Sequence, residues 1–173
     1  IRIRYDRIYR SILRIERRVL GLEHRSTLAT KSNLAGALKL NGQIDEAEKM
    51  YRTTLKTMKR VLPENDASTL SAMNGLAAVF GKQEKHVEAE VAFRDLLVIH
   101  KQVLGPMHPT TLLTLSNVAS TLNNQGKHAE AEPLMRECYA ANVKVIGVEH
   151  PHTMKSASEL GNALAKLGER EEA

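Results

Sequence analysis

The sequence predicts an all-α protein of antiparallel helix pairs stacked side by side. Three observations predict it. A block of 42 residues repeats along the 173-residue chain without insertion. Inside each block, apolar residues recur at spacings of three and four, the period of a helix with one buried face. The apolar fraction of 42% contains no Trp and only two Phe, so the core must be built from Leu, Ala, Val and Met. Such side chains suit packed helices better than a sandwich or barrel.

The elements follow in order from the repeat. Val19-Leu20-Gly21-Leu22-Glu23-His24 recurs as Val61-Leu62-Pro63-Glu64-Asn65-Asp66, as Val103-Leu104-Gly105-Pro106-Met107-His108 and as Val145-Ile146-Gly147-Val148-Glu149-His150. Residues 1–18 align with the second half of a block: Tyr9 falls under Tyr51 and Leu13 under Leu55. They read as a lone second helix. Full units follow at 19–60, 61–102 and 103–144, and a partial unit at 145–173, giving one array of about eight helices. In the first full unit, Leu28, Leu34, Ala35 and Leu38 mark a helix over 25–41. Gly42 suits the left-handed position that closes a helix. Gly126 and Gly168 match it, whereas Glu84 stands there in the second unit and should hold a strained positive φ. A second helix over 44–61 carries Ala47, Met50, Tyr51, Leu55 and Met58. Small Ala47, Ala89 and Ala131 fit where two helices cross, and Tyr51, Phe93 and Met135 fill the gap one turn on. Pro109 and Pro151 stand at first helical positions, where a missing N–H costs nothing. Asp66 is a good N-cap type; His24-Arg25 makes the first unit's start less sharply specified. A single pair cannot bury its stripe alone, so stability comes from stacking. The lone first helix and the partial last unit should therefore expose apolar surface.

Charge is concentrated at one end. Arg2, Arg4, Arg7, Arg10, Arg14, Arg17 and Arg18 face only Asp6 and Glu16, so residues 1–18 carry the whole net charge of +5. The remainder is neutral. No aromatic series or base-reading motif accompanies the arginines, which argues against nucleic acid as a partner.

The chain carries no pattern for chemistry. Its one cysteine, Cys138, excludes an internal disulfide and falls in a packing region. His24, His108 and His150 are locked to the repeat, a whole unit apart, and do not cluster as metal ligands. Paired carboxylates such as Glu130 and Glu132 begin second helices, where negative charge is favourable. No phosphate-binding glycine motif occurs. No enzyme activity, metal or cofactor is expected. No apolar run is long enough to span a membrane, and no secretory signal opens the chain, so a cytoplasmic setting is the expectation.

Leu104-Gly105-Pro106-Met107-His108-Pro109, Thr114-Leu115-Ser116-Asn117-Val118-Ala119 and Gln125-Gly126-Lys127-His128-Ala129-Glu130-Ala131-Glu132-Pro133-Leu134 resemble a tetratricopeptide (TPR) array of the 42-residue kind. Kinesin light chain and nephrocystin-3 carry such arrays, as do fungal NB-ARC/NACHT receptor-like proteins. The resemblance implies a right-handed superhelical solenoid whose first helices line a concave groove. It implies a non-catalytic scaffold that binds a partner peptide or short helix there, as part of a larger protein. Placed on that pattern, Asn33, Lys39, Asn74, Ser116, Asn117, Asn123 and Asn162 are the polar groove residues. Asn33 and Asn117 stand in the column where such proteins hold a peptide backbone; Gly75 and Glu159 interrupt it. Small Gly36, Gly75, Ala78 and Ser120 either leave room for a ligand or allow close helix packing. The alternative function is structural: stacking or self-association through the ends and the arginine-rich helix.

Overall fold

A computed structural model describes the backbone of residues 5–171 and the side chains of residues 5–168. Among the described residues there are eight helices: α1 Tyr5–Val19, α2 Arg25–Leu40, α3 Ile44–Val61, α4 Ala67–Lys82, α5 His86–Val103, α6 Pro109–Asn124, α7 His128–Ile146 and α8 Pro151–Glu171. The helices α2, α4, α6 and α8 each begin 42 residues after the one before, as do α3, α5 and α7. The fold is all-α, as the periodicity predicts. Of the arginine-rich segment, Arg2 and Arg4 lie outside the described residues.

The chain divides into two compact units, residues 1–85 and 86–173. In the first, α2 packs against α1, α3 and α4, and α3 packs against α4. In the second, α6 lies against α5 and α7, and α8 against α7 and α6.

Local chemistry sets the helix ends. His24 and His108 are N-caps whose Nδ1 atoms accept from the backbone N–H of Ser26 and Thr110, each at 3.2 Å. His150 does the same for His152. The start of α2 thus shares the imidazole cap of α6 but lacks its Pro109 at the first helical position. Asp66 takes the same place with its carboxylate, accepting from Ser68 and Thr69 N–H. At the other ends, Gly42 and Gly126 hold φ of +83° and +76°. The N–H of Gln43 reaches back to the Leu38 carbonyl, and that of Lys127 to Leu122, closing each helix. Glu84 adopts φ +59° in the matching turn, the strained conformation expected there. Gly168 behaves otherwise. It does not end a helix, because α8 runs on to Glu171. A closing turn gains its stability when the next helix folds back against the first, and no such helix follows among the described residues.

The small-then-large pattern of the second helices is realised. Ala47, Ala89 and Ala131 are fully buried, and Tyr51, Phe93 and Met135 are buried one turn later. The first-helix columns behave likewise for Leu28, Leu38, Leu112 and Leu122. Their counterparts Met154 and Leu164 on α8 are 63% and 42% exposed. On α1, Tyr5, Ile8, Ile12, Ile15 and Val19 form an exposed apolar stripe. Among the described residues, α1 and α8 thus leave apolar surface open, as expected for the first and last helices of the array.

Successive repeats are tied by a recurrent polar clamp. The Glu48 carboxylate accepts from the Gln83 amide at 2.8 Å, from Arg52 at 2.9 Å and from Lys85 at 3.2 Å. Glu90 accepts from Gln125, Arg94 and Lys127 in the same way. Asp6, at the same column, accepts from Asn41. In all three the amide lies 35 residues beyond the acid. Burial alone would raise the Glu48 and Glu90 carboxyls, but the hydrogen bonds from Gln, Arg and Lys outweigh it and hold both at about 2.

Candidate peptide-binding surfaces

In the first unit, α2 and α4 lie side by side, and Tyr51 of α3 reaches up between them. A β-carbon placed on Gly75 would sit 2.4 Å from the Tyr51 Cζ, and one on Gly36 would sit 3.2 Å from its hydroxyl. At Gly75 the absent side chain is therefore filled by a tyrosine ring, so close packing rather than room for a ligand explains that glycine.

The Tyr51 ring forms part of a pocket of about 360 Å³. Tyr5 and Tyr9 of α1, Ser32, Asn33 and Lys39 of α2, and Ser71 of α4 line the rest. Asn33 is exposed and presents both an amide donor and an acceptor. Lys39 is half-buried; burial and then the neighbouring Lys82 push its ammonium below the usual lysine range. Tyr51 is 5% exposed, and its hydroxyl end faces Gly36 and Gly75. Burial raises this phenol, so it stays a neutral donor at any ordinary pH. Asn74 is exposed on α4 and lines none of this pocket.

In the second unit, Ser116 borders a smaller hollow of about 180 Å³ with Leu113, Asn142, His152 and Lys155. Its hydroxyl donates to the Glu159 carboxylate at 3.0 Å. Glu159 also pairs with Lys155. Asn117 is half-buried, and its carbonyl accepts from the Thr121 hydroxyl. Asn123 is committed within the unit: its side-chain oxygen meets His128 Nδ1 across the α6–α7 turn. Asn162 is exposed on α8. Of the seven polar positions, Asn33 and Lys39 are brought together in one pocket, and Ser116 is placed in another. Sequence reasoning missed Tyr51, Tyr5 and Tyr9 as pocket walls, because it read Tyr51 as core alone. The pairing of Tyr51 with a glycine at the Asn column was the available signal.

Cys138 is buried, its Sγ against the Leu112 carbonyl, and burial followed by the nearby Glu159 pushes the thiol up to about 11. Such a thiol is a poor nucleophile. No group of three His, Cys, Asp or Glu among the described residues could hold a metal ion, and no described helix is long and apolar enough to cross a membrane.

The tetratricopeptide repeat family model matches residues 26–102, 67–141 and 110–173. The chain belongs to the tetratricopeptide repeat family. Two crystal structures of a protein assigned as a kinesin light chain from Podosopora anserina, with nearly identical TPR-like repeats, are similar to it. One is a single-substitution form with a TM-score of 0.83 and the other has 0.82; each is 26% identical, across 96% of this chain and 79% of theirs. BtubC (BKLC) from P. vanneervenii shares the fold at 19% identity, with a TM-score of 0.83 over 94% of this chain and 65% of its own. Among curated proteins no sequence match is found. Tetratricopeptide folds generally serve as non-catalytic scaffolds for protein–protein interaction, and the array resembles kinesin-light-chain-like repeats.

Proposed function

We propose that this tetratricopeptide chain is a non-catalytic scaffold, part of a larger protein, that holds an extended partner peptide across its first helices. The pocket between α1, α2 and α4 carries this reading. The Tyr51 phenol, an exposed amide and a half-buried ammonium converge on one pocket wall. A peptide backbone offers acceptors and donors to such groups. Asn74, on α4 of the same unit, extends the contact; in the second unit Ser116, Asn117 and Asn162 are the polar positions of the first-type helices α6 and α8. A cytoplasmic setting and an ancestry shared with NB-ARC/NACHT-type receptor arrays belong to the same reading. Binding would be capture of a flexible segment on a preformed surface, with affinity in the micromolar range, about −8 kcal/mol.

A peptide-library screen followed by calorimetry tests it. Asn33→Ala should weaken a selected peptide about tenfold, equivalent to about 1.4 kcal/mol, with the helical signal unchanged. Affinity unmoved by both Asn33→Ala and Asn117→Ala would remove the groove from consideration.

A second reading is favoured by the apolar stripe on α1. Among the described residues, α1 is a second-type helix with no first-type helix before it, and α8 a first-type helix with no second-type helix after it. A second copy's α8 laid on Ile8, Ile12 and Ile15 would complete a repeat and stack copies head to tail. Light scattering across a concentration series should then show mass rising with concentration; a constant monomer mass discards self-association.

A further inference from the structure

A second concave surface lies in the first unit, on a different set of residues. It is a crease of about 950 Å³ between α1 and α3 with α2 at its base, and it shares no lining residue with the pocket around Tyr51. Leu13, Leu28 and Met50 contribute to an apolar floor. Arg10, Arg14, Arg17, Arg18 and Lys31 stand on its walls.

Most of that charge is uncompensated. Arg10 pairs with Glu46 at 2.8 Å, and Glu23, the one acid lining the crease, is taken by Arg60. Arg14, Arg17, Arg18 and Lys31 have no ion-pair partner among the described residues. Burial, and after it the adjacent Arg17, push the Lys31 ammonium below its ordinary range. The Thr27 hydroxyl, on the same wall, is 2% exposed and also unpartnered. Self-repelling cations over an apolar floor form a surface that an anion with apolar side chains would relieve.

We infer that this crease binds an acidic polypeptide segment, rich in Asp and Glu with interspersed leucine-like residues, laid along α1 over Leu13, Leu28 and Met50. Guanidinium groups take carboxylates bidentately, which favours side-chain recognition over diffuse attraction. Nucleic acid fits less well, since no aromatic ring lines the crease for bases to stack on. A membrane surface fits the crease less well too. Its own apolar residues lie at the bottom of a hollow, and none of the exposed apolar stripe of α1 lines it.

Fluorescence anisotropy of the whole chain with a labelled Asp/Glu/Leu peptide tests this. Binding should weaken as salt rises from about 50 to about 200 mM, because exposed charges are increasingly screened. Arg14→Gln with Arg17→Gln should lose at least about tenfold in affinity. Arg14→Lys with Arg17→Lys should lose only part of that, and Lys56→Gln with Lys82→Gln, an equal change in net charge at residues of the same unit that do not line the crease, should lose little. Asn33→Ala should leave this binding intact. Circular dichroism monitors folding, and Arg18→Gln alone replaces the double variant if that one unfolds. Absence of binding by the unaltered chain overturns the inference, and so do equal losses for the two Gln pairs. Tighter capture of a single-stranded oligonucleotide or of phosphatidylserine vesicles, lost in the same Arg variants, reassigns the crease and also overturns it.

Discussion

Single residues in this chain are read most clearly against their counterparts 42 positions away. His100 and Thr114 form a buried hydrogen-bonded pair at 2.9 Å. One unit later the same two positions hold Asn142 and Ser156, again bonded, and one unit earlier they hold Met58 and Ala72, both buried in the apolar core. Polar answers polar and apolar answers apolar, so no buried partner is stranded. The Tyr51–Gly75 pair obeys the same logic through volume. Gly75→Ala places a methyl inside the Tyr51 ring, so a well-packed, largely buried ring must shift. Overpacking of about 1–3 kcal/mol exceeds the gain of about 0.5–1 kcal/mol from Ala in a helix. A net loss of about 1–2 kcal/mol is expected in thermal denaturation, largely restored by pairing Gly75→Ala with Tyr51→Leu. Gly36→Ala, which meets only the hydroxyl at 3.2 Å, should cost far less.

At the scale of helices, the clamp on Glu48 and Glu90 makes stability depend on acid. Their folded carboxyls, at about 2, lie below the ordinary value of 4.5. The stabilisation is therefore complete above about pH 4.5 and is lost as pH falls toward 2, where the folded carboxyls take up protons. The Lys and Arg partners remain well exposed, so about 1–2 kcal/mol per clamp is the scale after solvent screening. Glu48→Gln should lower the denaturation midpoint at neutral pH and flatten the decline between pH 4.5 and 2; an unchanged acid limb would rule the clamp out. Helix identity and register were legible in the sequence, because Gly42, Asp66 and the three-and-four stripes act within a few residues. The clamp was not. Glu48 reads as an acid at a helix start, and its amide partner lies 35 residues on, meaningful only once two repeats stack. The His24 cap was missed for a related reason: imidazole is an uncommon N-cap, and only its orientation shows Nδ1 facing the Ser26 N–H. Of the candidate site, Asn33 and Lys39 came from register. The aromatic walls and the crease did not, since each gathers residues from several helices.

At the scale of the whole chain, the two candidate surfaces differ in what they would read. The pocket around Tyr51 offers neutral hydrogen bonding and one ammonium, whereas the α1–α3 crease offers guanidinium charge over an apolar floor. Salt therefore separates them: binding in the pocket should change little across the range that weakens binding in the crease. The bare stripe on α1 lies on a third face, and an upstream first-type helix or a second copy would cover it equally well by shape. Light scattering on a chain extended by one upstream repeat separates these. A monomeric extended chain beside a self-associating shorter one identifies that stripe as an internal seam.

The spacing of the clamp has a genetic corollary. Acid and amide recur in step with the helices, so any in-frame segment of 42 residues taken between positions 6 and 131 contains one of each, wherever it is cut. A slipped copying event that inserts such a segment delivers a newcomer able to join the neighbours on both sides at once. Tandem arrays of this kind can lengthen or shorten without first acquiring compensating substitutions, and ligand-facing positions on the added copy are free to diverge while the joints stay the same.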